Sequence, residues 1–144
     1  MNIKNLYHGS SKELIGEKLN PSQGNDLDIR PENNKFAVYA TNRKDLAIVM
    51  GILSCKDVIG GSINEYKNNK LNATIYGEFP KQEYIYLYTL PVQTFIQTKI
   101  DEYQFYSLES IKPIKTEKIK ISNYYNLFKI GTKEEIEDWI RKYK

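Results

Sequence analysis

Cysteine and histidine occur once each in 144 residues, as Cys55 and His8. A single cysteine excludes a disulfide within the chain and a cysteine-built zinc site. A single histidine excludes a histidine-rich metal centre, so no metal is expected. Arginine is scarce too: Arg30, Arg43 and Arg141 are the full set, within a net charge of +3 from 21 basic and 18 acidic residues. Bidentate phosphate clamps favour guanidinium groups, and nucleic acid is therefore not indicated as a partner. No apolar run approaches the ~20 residues that span a bilayer. The opening MNIKNLYHGSSK also lacks the apolar stretch of a secretory signal. The expectation is a cytoplasmic protein with no membrane partner.

What the chain does have is aromatic and β-branched material. It is 40% hydrophobic and 27% charged, with 12 tyrosines. Tyrosine and isoleucine favour pleated, half-buried surfaces, so a β-rich core is expected. The length suits one domain, residues 1–144, able to bury most of the surface an unfolded chain exposes.

Residues 2–7 alternate apolar and polar and read as a first strand ending at His8, and 11–19 hold room for one helical turn. Residues 20–34, NPSQGNDLDIRPENN, read as a long loop, of a size that is often functional. FAVYAT (36–41) reads as a strand running into a helix over 42–55, with Asn42 as its cap, Asp45 as capping-box partner, and Leu46, Val49, Met50 and Leu53 on one face. Gly60-Gly61 closes that region. Strands follow at 72–77 and 83–90, the latter with Tyr84, Tyr86 and Tyr88 on one face, and Pro91 interrupts before VQTFI. Another is expected at 102–107, and 111–121 alternates apolar residues with lysine like a half-solvated edge strand. A short helix ending at Gly131 and a last helix capped by Thr132 and Glu135 complete the chain, the latter with Ile136, Trp139, Ile140 and Tyr143 as its apolar stripe. The expected class is α+β: one domain with a split, mostly antiparallel β core flanked by short helices.

Three stretches place a chemically useful side chain at a strand edge or end: LYHGS (6–10), AVYATN (37–42) and DEYQFYS (101–107). In this order they resemble the His-Tyr-Glu branch of the ADP-ribosyltransferase superfamily, which includes diphtheria toxin and the poly(ADP-ribose) polymerases. The resemblance rests on three islands within residues 3–121. It implies an ADP-ribosyltransferase-like fold and NAD as substrate. The residues that match the branch's motif are His8, Tyr39 and Glu102 as the catalytic set, with His8, Gly9, Ser10 and Tyr39 holding NAD. His8 would hydrogen-bond the ribose, the Gly9 backbone would grip the carboxamide, and Tyr39 would stack on nicotinamide. Glu102 would stabilise positive charge on the ribose and polarise the acceptor. The implied function is mono-ADP-ribosyl transfer to an unknown intracellular macromolecule, as in stand-alone bacterial or phage domains of this kind.

The chain departs from the family at 46–50, LAIVM, where Ala47 and Val49 stand in place of a hydroxyl residue and a second stacking aromatic. Met50 or a tyrosine of 84–88 would have to supply that face. An alternative follows: a catalytically weak or inactive module of the same fold that binds NAD, ADP-ribose or a protein partner. The arginine-based branch needs an arginine in the first strand, where Lys4 is the only basic residue. RNA 2′-phosphotransferases rely on several arginines around a histidine, and three scattered ones match poorly. Arg30 and Arg43 are candidates for the phosphates of NAD, set against ordinary solvated arginines.

Overall fold

Alternation of small apolar and aromatic residues over FAVYAT and YIYLYTLP gives two strands that bury one face nearly completely. The structure, a computed structural model, describes residues 3–24, 31–64 and 68–144. In chain order the elements are β1 (Asn5–Ser10), β2 (Ser22–Gln23), a 3-10 turn (Pro31–Asn33), β3 (Phe36–Thr41), α1 (Lys44–Leu53), β4 (Gly60–Ile63), β5 (Ala73–Tyr76), β6 (Tyr84–Pro91), β7 (Ile96–Gln97), β8 (Gln104–Ser107), β9 (Lys115–Lys120), a 3-10 helix (Ile121–Leu127), β10 (Phe128–Ile130) and α2 (Lys133–Tyr143). The class is α+β. A seven-stranded antiparallel sheet runs β7-β8-β3-β1-β6-β9, with β2 on β3, and a second sheet runs β10-β5-β4. Among the described residues no helix is long and apolar enough to cross a membrane.

One seam of the large sheet is loose. β1 pairs with β6 along its whole length, from Asn5↔Pro91 to Ser10↔Tyr86. Against β3 its register holds only Tyr7↔Thr41, and toward Ser10 the two strands part. On the far side β3 pairs with β8 from Val38↔Ser107 to Thr41↔Gln104. Directly paired residues share a face. Tyr7, Thr41 and Gln104 therefore form one transverse row on the face that also carries Gly9 and Tyr39.

The opposite face buries Leu6, Val38, Ala40, Tyr88, Leu90 and Phe105. Helix α1 covers the first face, with Ala47, Ile48 and Ile52 against Ile85 and Leu87. It lies unusually close because two glycines meet. A Cβ on Gly9 would fall 1.9 Å from the Ala47 carbonyl oxygen, and one on Gly51 would fall 3.1 Å from the Gly9 carbonyl carbon. Leu46 and Val49 pack on Leu71 and Ala73 of the second layer.

Several local expectations are corrected. No helix forms over 11–19; a bridge from Leu19 to Ile111 holds that segment instead. The N-cap of α1 is Arg43, with no side-chain cap bond, rather than Asn42. The Asp45 carboxylate is taken by the Arg43 guanidinium and the Leu46 N–H. Met50 turns outward at 50% exposure while Ile48 and Ile52 are buried. Gly60 and Gly61 belong to β4, and β6 runs one residue further than expected, through Pro91. The segment before Gly131 becomes a 3-10 helix followed by β10, which joins β5 in parallel. Lysine-rich β9 is the expected edge strand, paired to β6. At α2 the Thr132 hydroxyl accepts from the Glu135 N–H while the Glu135 carboxylate accepts from the Thr132 N–H, the reciprocal cap read from the sequence. Its stripe is shallower than expected: Ile136, Trp139 and Tyr143 are half-buried and Ile140 is exposed.

Candidate functional site

Where β1 and β3 part, a cleft of ≈ 980 Å³ opens, at the upper end of the range for small-molecule and cofactor sites. Its floor is Tyr7, His8 and Gly9 of β1 with Tyr39 and Thr41 of β3. Ala47 and Met50 of α1 form one wall. Asp101, Tyr103 and Gln104, at the head of β8, form another, and Trp139, Lys142 and Tyr143 of α2 close the far end. Gly61–Ile63 of β4 and the following Asn64 lie between.

His8 belongs by alternation to the Leu6 face of β1, but its ring turns into the gap between the strands. Its Nδ1 is 2.6 Å from the Tyr39 main-chain oxygen. A carbonyl only accepts, so Nδ1 carries the proton. The neutral ring then presents Nε2 as an acceptor, with no hydrogen-bond partner among the described residues. His8 as a residue is half-buried, and protein surrounds its ring closely. That burial holds the His8 pKa below the ordinary imidazole value, against the opposing pull of the bond to Tyr39.

Tyr39 has two jobs. Its ring lines the cleft, while its hydroxyl accepts from the Lys35 N–H at 2.8 Å and donates to the Glu32 carbonyl at 2.9 Å. The phenol thus anchors the chain just before β3. Gly24 lies against the same ring, where a Cβ would come within 2.9 Å of the hydroxyl.

Gly9 is in the cleft, but the neighbour that needs it bare is α1, as the approach to Ala47 shows. Its missing side chain is explained by helix packing before any ligand is invoked. Ser10 lies outside the cleft lining, its hydroxyl accepting from the Lys12 N–H at 3.2 Å.

Glu102 is the clearest departure from the sequence reading. Strand β8 begins two residues later than expected, at Gln104. Glu102 sits in the preceding turn, exposed, and does not line the cleft. The cause is local. The Asp101 carboxylate accepts the Tyr103 N–H at 2.8 Å, and the Asp101 carbonyl accepts the Gln104 N–H at 3.2 Å. This side-chain-built turn competes with extension of the strand, and it brings Asp101 and Gln104 to the wall instead.

Val49 does not face the cleft; it is fully buried beside Leu71 and Ala73, where no stacking ring would fit. Met50 does line it, as do Tyr7, Tyr76 and Tyr103. Arg43 is pinned by Asp45 and Asn69 over the Tyr103 ring, outside the cleft lining. Arg30 lies outside the described residues. Lys142 is the lysine on the wall, while Glu135 serves the α2 cap and Asp138 binds Arg141 at 2.7 Å. Among the described residues no group of three or more His, Cys, Asp or Glu side chains gathers as a metal site.

Sequence reasoning missed four contributors. Gln104 and Asp101 were masked by the more familiar carboxylate between them. Trp139 and Tyr143 read as a buried stripe, yet they edge the cleft. Comparison with family models, curated proteins and solved structures gives no significant match to this chain.

Proposed function

We propose that the chain is an ADP-ribosyltransferase-like module that binds NAD in the β1–β3 cleft and is at most a weak transferase. The observation that carries this is the His8–Tyr39 bond. It fixes an imidazole acceptor at the floor of a dinucleotide-sized cleft, beside a tyrosine ring. The residues present suit such a ligand. His8 Nε2 accepts from a ribose hydroxyl, and Tyr39 and Met50 offer apolar surface to the nicotinamide ring. Trp139 and Tyr143 offer aromatic surface at the other end, and Lys142 supplies positive charge for a pyrophosphate.

NAD brings a nicotinamide leaving group on a ribose carbon that becomes cationic as the bond breaks. Rapid cleavage needs fixed negative charge beside that carbon. The exposed position of Glu102 favours binding over fast transfer. A second reading, an active transferase, draws on Asp101, which lines the cleft wall. In either reading the chain works in the cytoplasm, and any acceptor is an intracellular macromolecule.

Calorimetric titration with NAD tests the proposal. Micromolar to millimolar binding is expected, weakened about tenfold or more in His8→Ala. Absence of binding in the folded wild-type protein would overturn it. Release of nicotinamide from NAD, abolished in Asp101→Asn, would instead favour the second reading.

A further inference from the structure

The polar groups on the cleft floor differ in whether the protein already uses them. Thr41 accepts the Arg43 N–H. Tyr39 is committed to Lys35 and Glu32. Asp101 is committed to the Tyr103 N–H. The glutamines follow the same economy. Gln23, Gln82 and Gln97 each spend the amide on backbone carbonyls, and Gln93 is exposed to water. Gln104 is the exception: half-buried on the cleft wall, its side-chain amide has no partner among the described residues. Tyr7, two strands away in the same transverse row, likewise carries a phenol with no partner on the wall of the same cleft.

The Gln104 amide is not among the buried polar atoms that lack a partner, so it still meets the water of the cleft. An amide that makes no bond within the protein and is solvated on a cleft wall can exchange its water for a ligand without breaking a protein contact. We infer that Gln104 is a ligand-binding residue of this site, pairing its N–H donor and its carbonyl acceptor with a ligand group that offers both. The inference rests on the reading of the cleft as an NAD site. Two parts of NAD carry the required chemistry, the carboxamide and the ribose diol. Gln104 stands at the strand head, where Glu102 was expected. It supplies directional hydrogen bonds there without the negative charge that bond cleavage requires, which accounts for a site built to hold rather than to cut.

The test uses the full chain, with NAD, nicotinamide and ADP-ribose as separate probes, and two variants. Gln104→Ala removes the amide, and Gln104→Met removes it while keeping its bulk. Thermal melts establish that each variant is folded, and Gln104→Met decides alone if Gln104→Ala is not. NAD affinity is expected to fall about tenfold with the melting temperature held. A parallel loss for nicotinamide assigns the contact to the carboxamide, and a parallel loss for ADP-ribose assigns it to the diol. NAD binding within twofold of wild type in the folded variant would overturn the role of Gln104 and leave the NAD reading standing. Failure of the wild-type protein to bind NAD would overturn both.

Discussion

The His8 imidazole and the Tyr39 main-chain oxygen, 2.6 Å apart, bridge β1 and β3 at the point where their backbone pairing stops. The bond fixes the tautomer, and the surrounding protein holds the ring neutral. The unfolded chain protonates His8 near the ordinary imidazole value of 6.5 while the native state resists. Below that pH the unfolded state binds more protons, so native stability falls as pH drops and is fully present above it. Glu117 and Glu135, held low by Lys115 and by the Thr132 cap, titrate from a lower starting value of 4.5 and act only in stronger acid. Urea melts are expected to show stability falling between pH ~7 and ~5, with a flatter profile in His8→Asn. An unchanged slope in that variant would assign the loss to other groups.

Gly9 faces the cleft but is required bare by α1. Gly9→Ala places a methyl group 1.9 Å from the Ala47 carbonyl oxygen, a backbone atom that yields only if the helix moves. The expected cost is roughly 1–3 kcal/mol or more, read in chemical denaturation without any ligand. A variant as stable as wild type would show that the glycine serves ligand approach rather than packing.

Glu102→Gln tests the corrected position of that carboxylate. Exposed in a turn and away from the cleft, it is expected to leave NAD affinity within twofold and the melting temperature unchanged, since isolated surface changes cost within about ±0.5 kcal/mol. A large loss of NAD affinity would place Glu102 back at the ligand.

The Cys55 thiol is buried at 3% exposure, and burial, aided by the nearby Asp57 charge, raises its pKa to about 11. At mildly alkaline pH it stays protonated and shielded. Labelling with a chromogenic disulfide reagent is expected to proceed only as fast as the protein opens. Immediate stoichiometric reaction in native buffer would contradict this placement.

Helix α2 contributes no fully buried residue and depends on its reciprocal cap. Thr132→Ala should cost ~1 kcal/mol, expressed as faster amide exchange across Lys133–Tyr143, with little change in the protection of β1 and β6. Equal loosening of both regions would mean that α2 and the large sheet unfold as one unit.

Most of the scaffold was legible where one signal dominated. Residues 36–41 were bounded correctly because apolar and aromatic residues run together between polar flanks, and the Thr132–Glu135 cap was visible in four letters. The site was legible only in part. His8 and Tyr39 stand at strand positions that alternation reveals, and they meet. Glu102 was misplaced because Asp101 builds a turn from its own side chain, a choice strand propensity does not register. The role of Gly9 was hidden for a different reason. A glycine beside a cleft and a glycine beneath a helix look alike until Ala47 is seen to fill the space. The second sheet was harder still, because β10 joins β5 across a long stretch of chain, and no local pattern announces a non-local partner.

That long-range pairing has a consequence for biosynthesis. The strip Phe128–Ile130 completes the smaller sheet, and the helix that edges the cleft follows directly from it. On a translating ribosome the strands at the His8 end of the hollow emerge ahead of the helix that carries its aromatic rim. A nascent chain therefore presents the floor of the cleft before that rim can bound it.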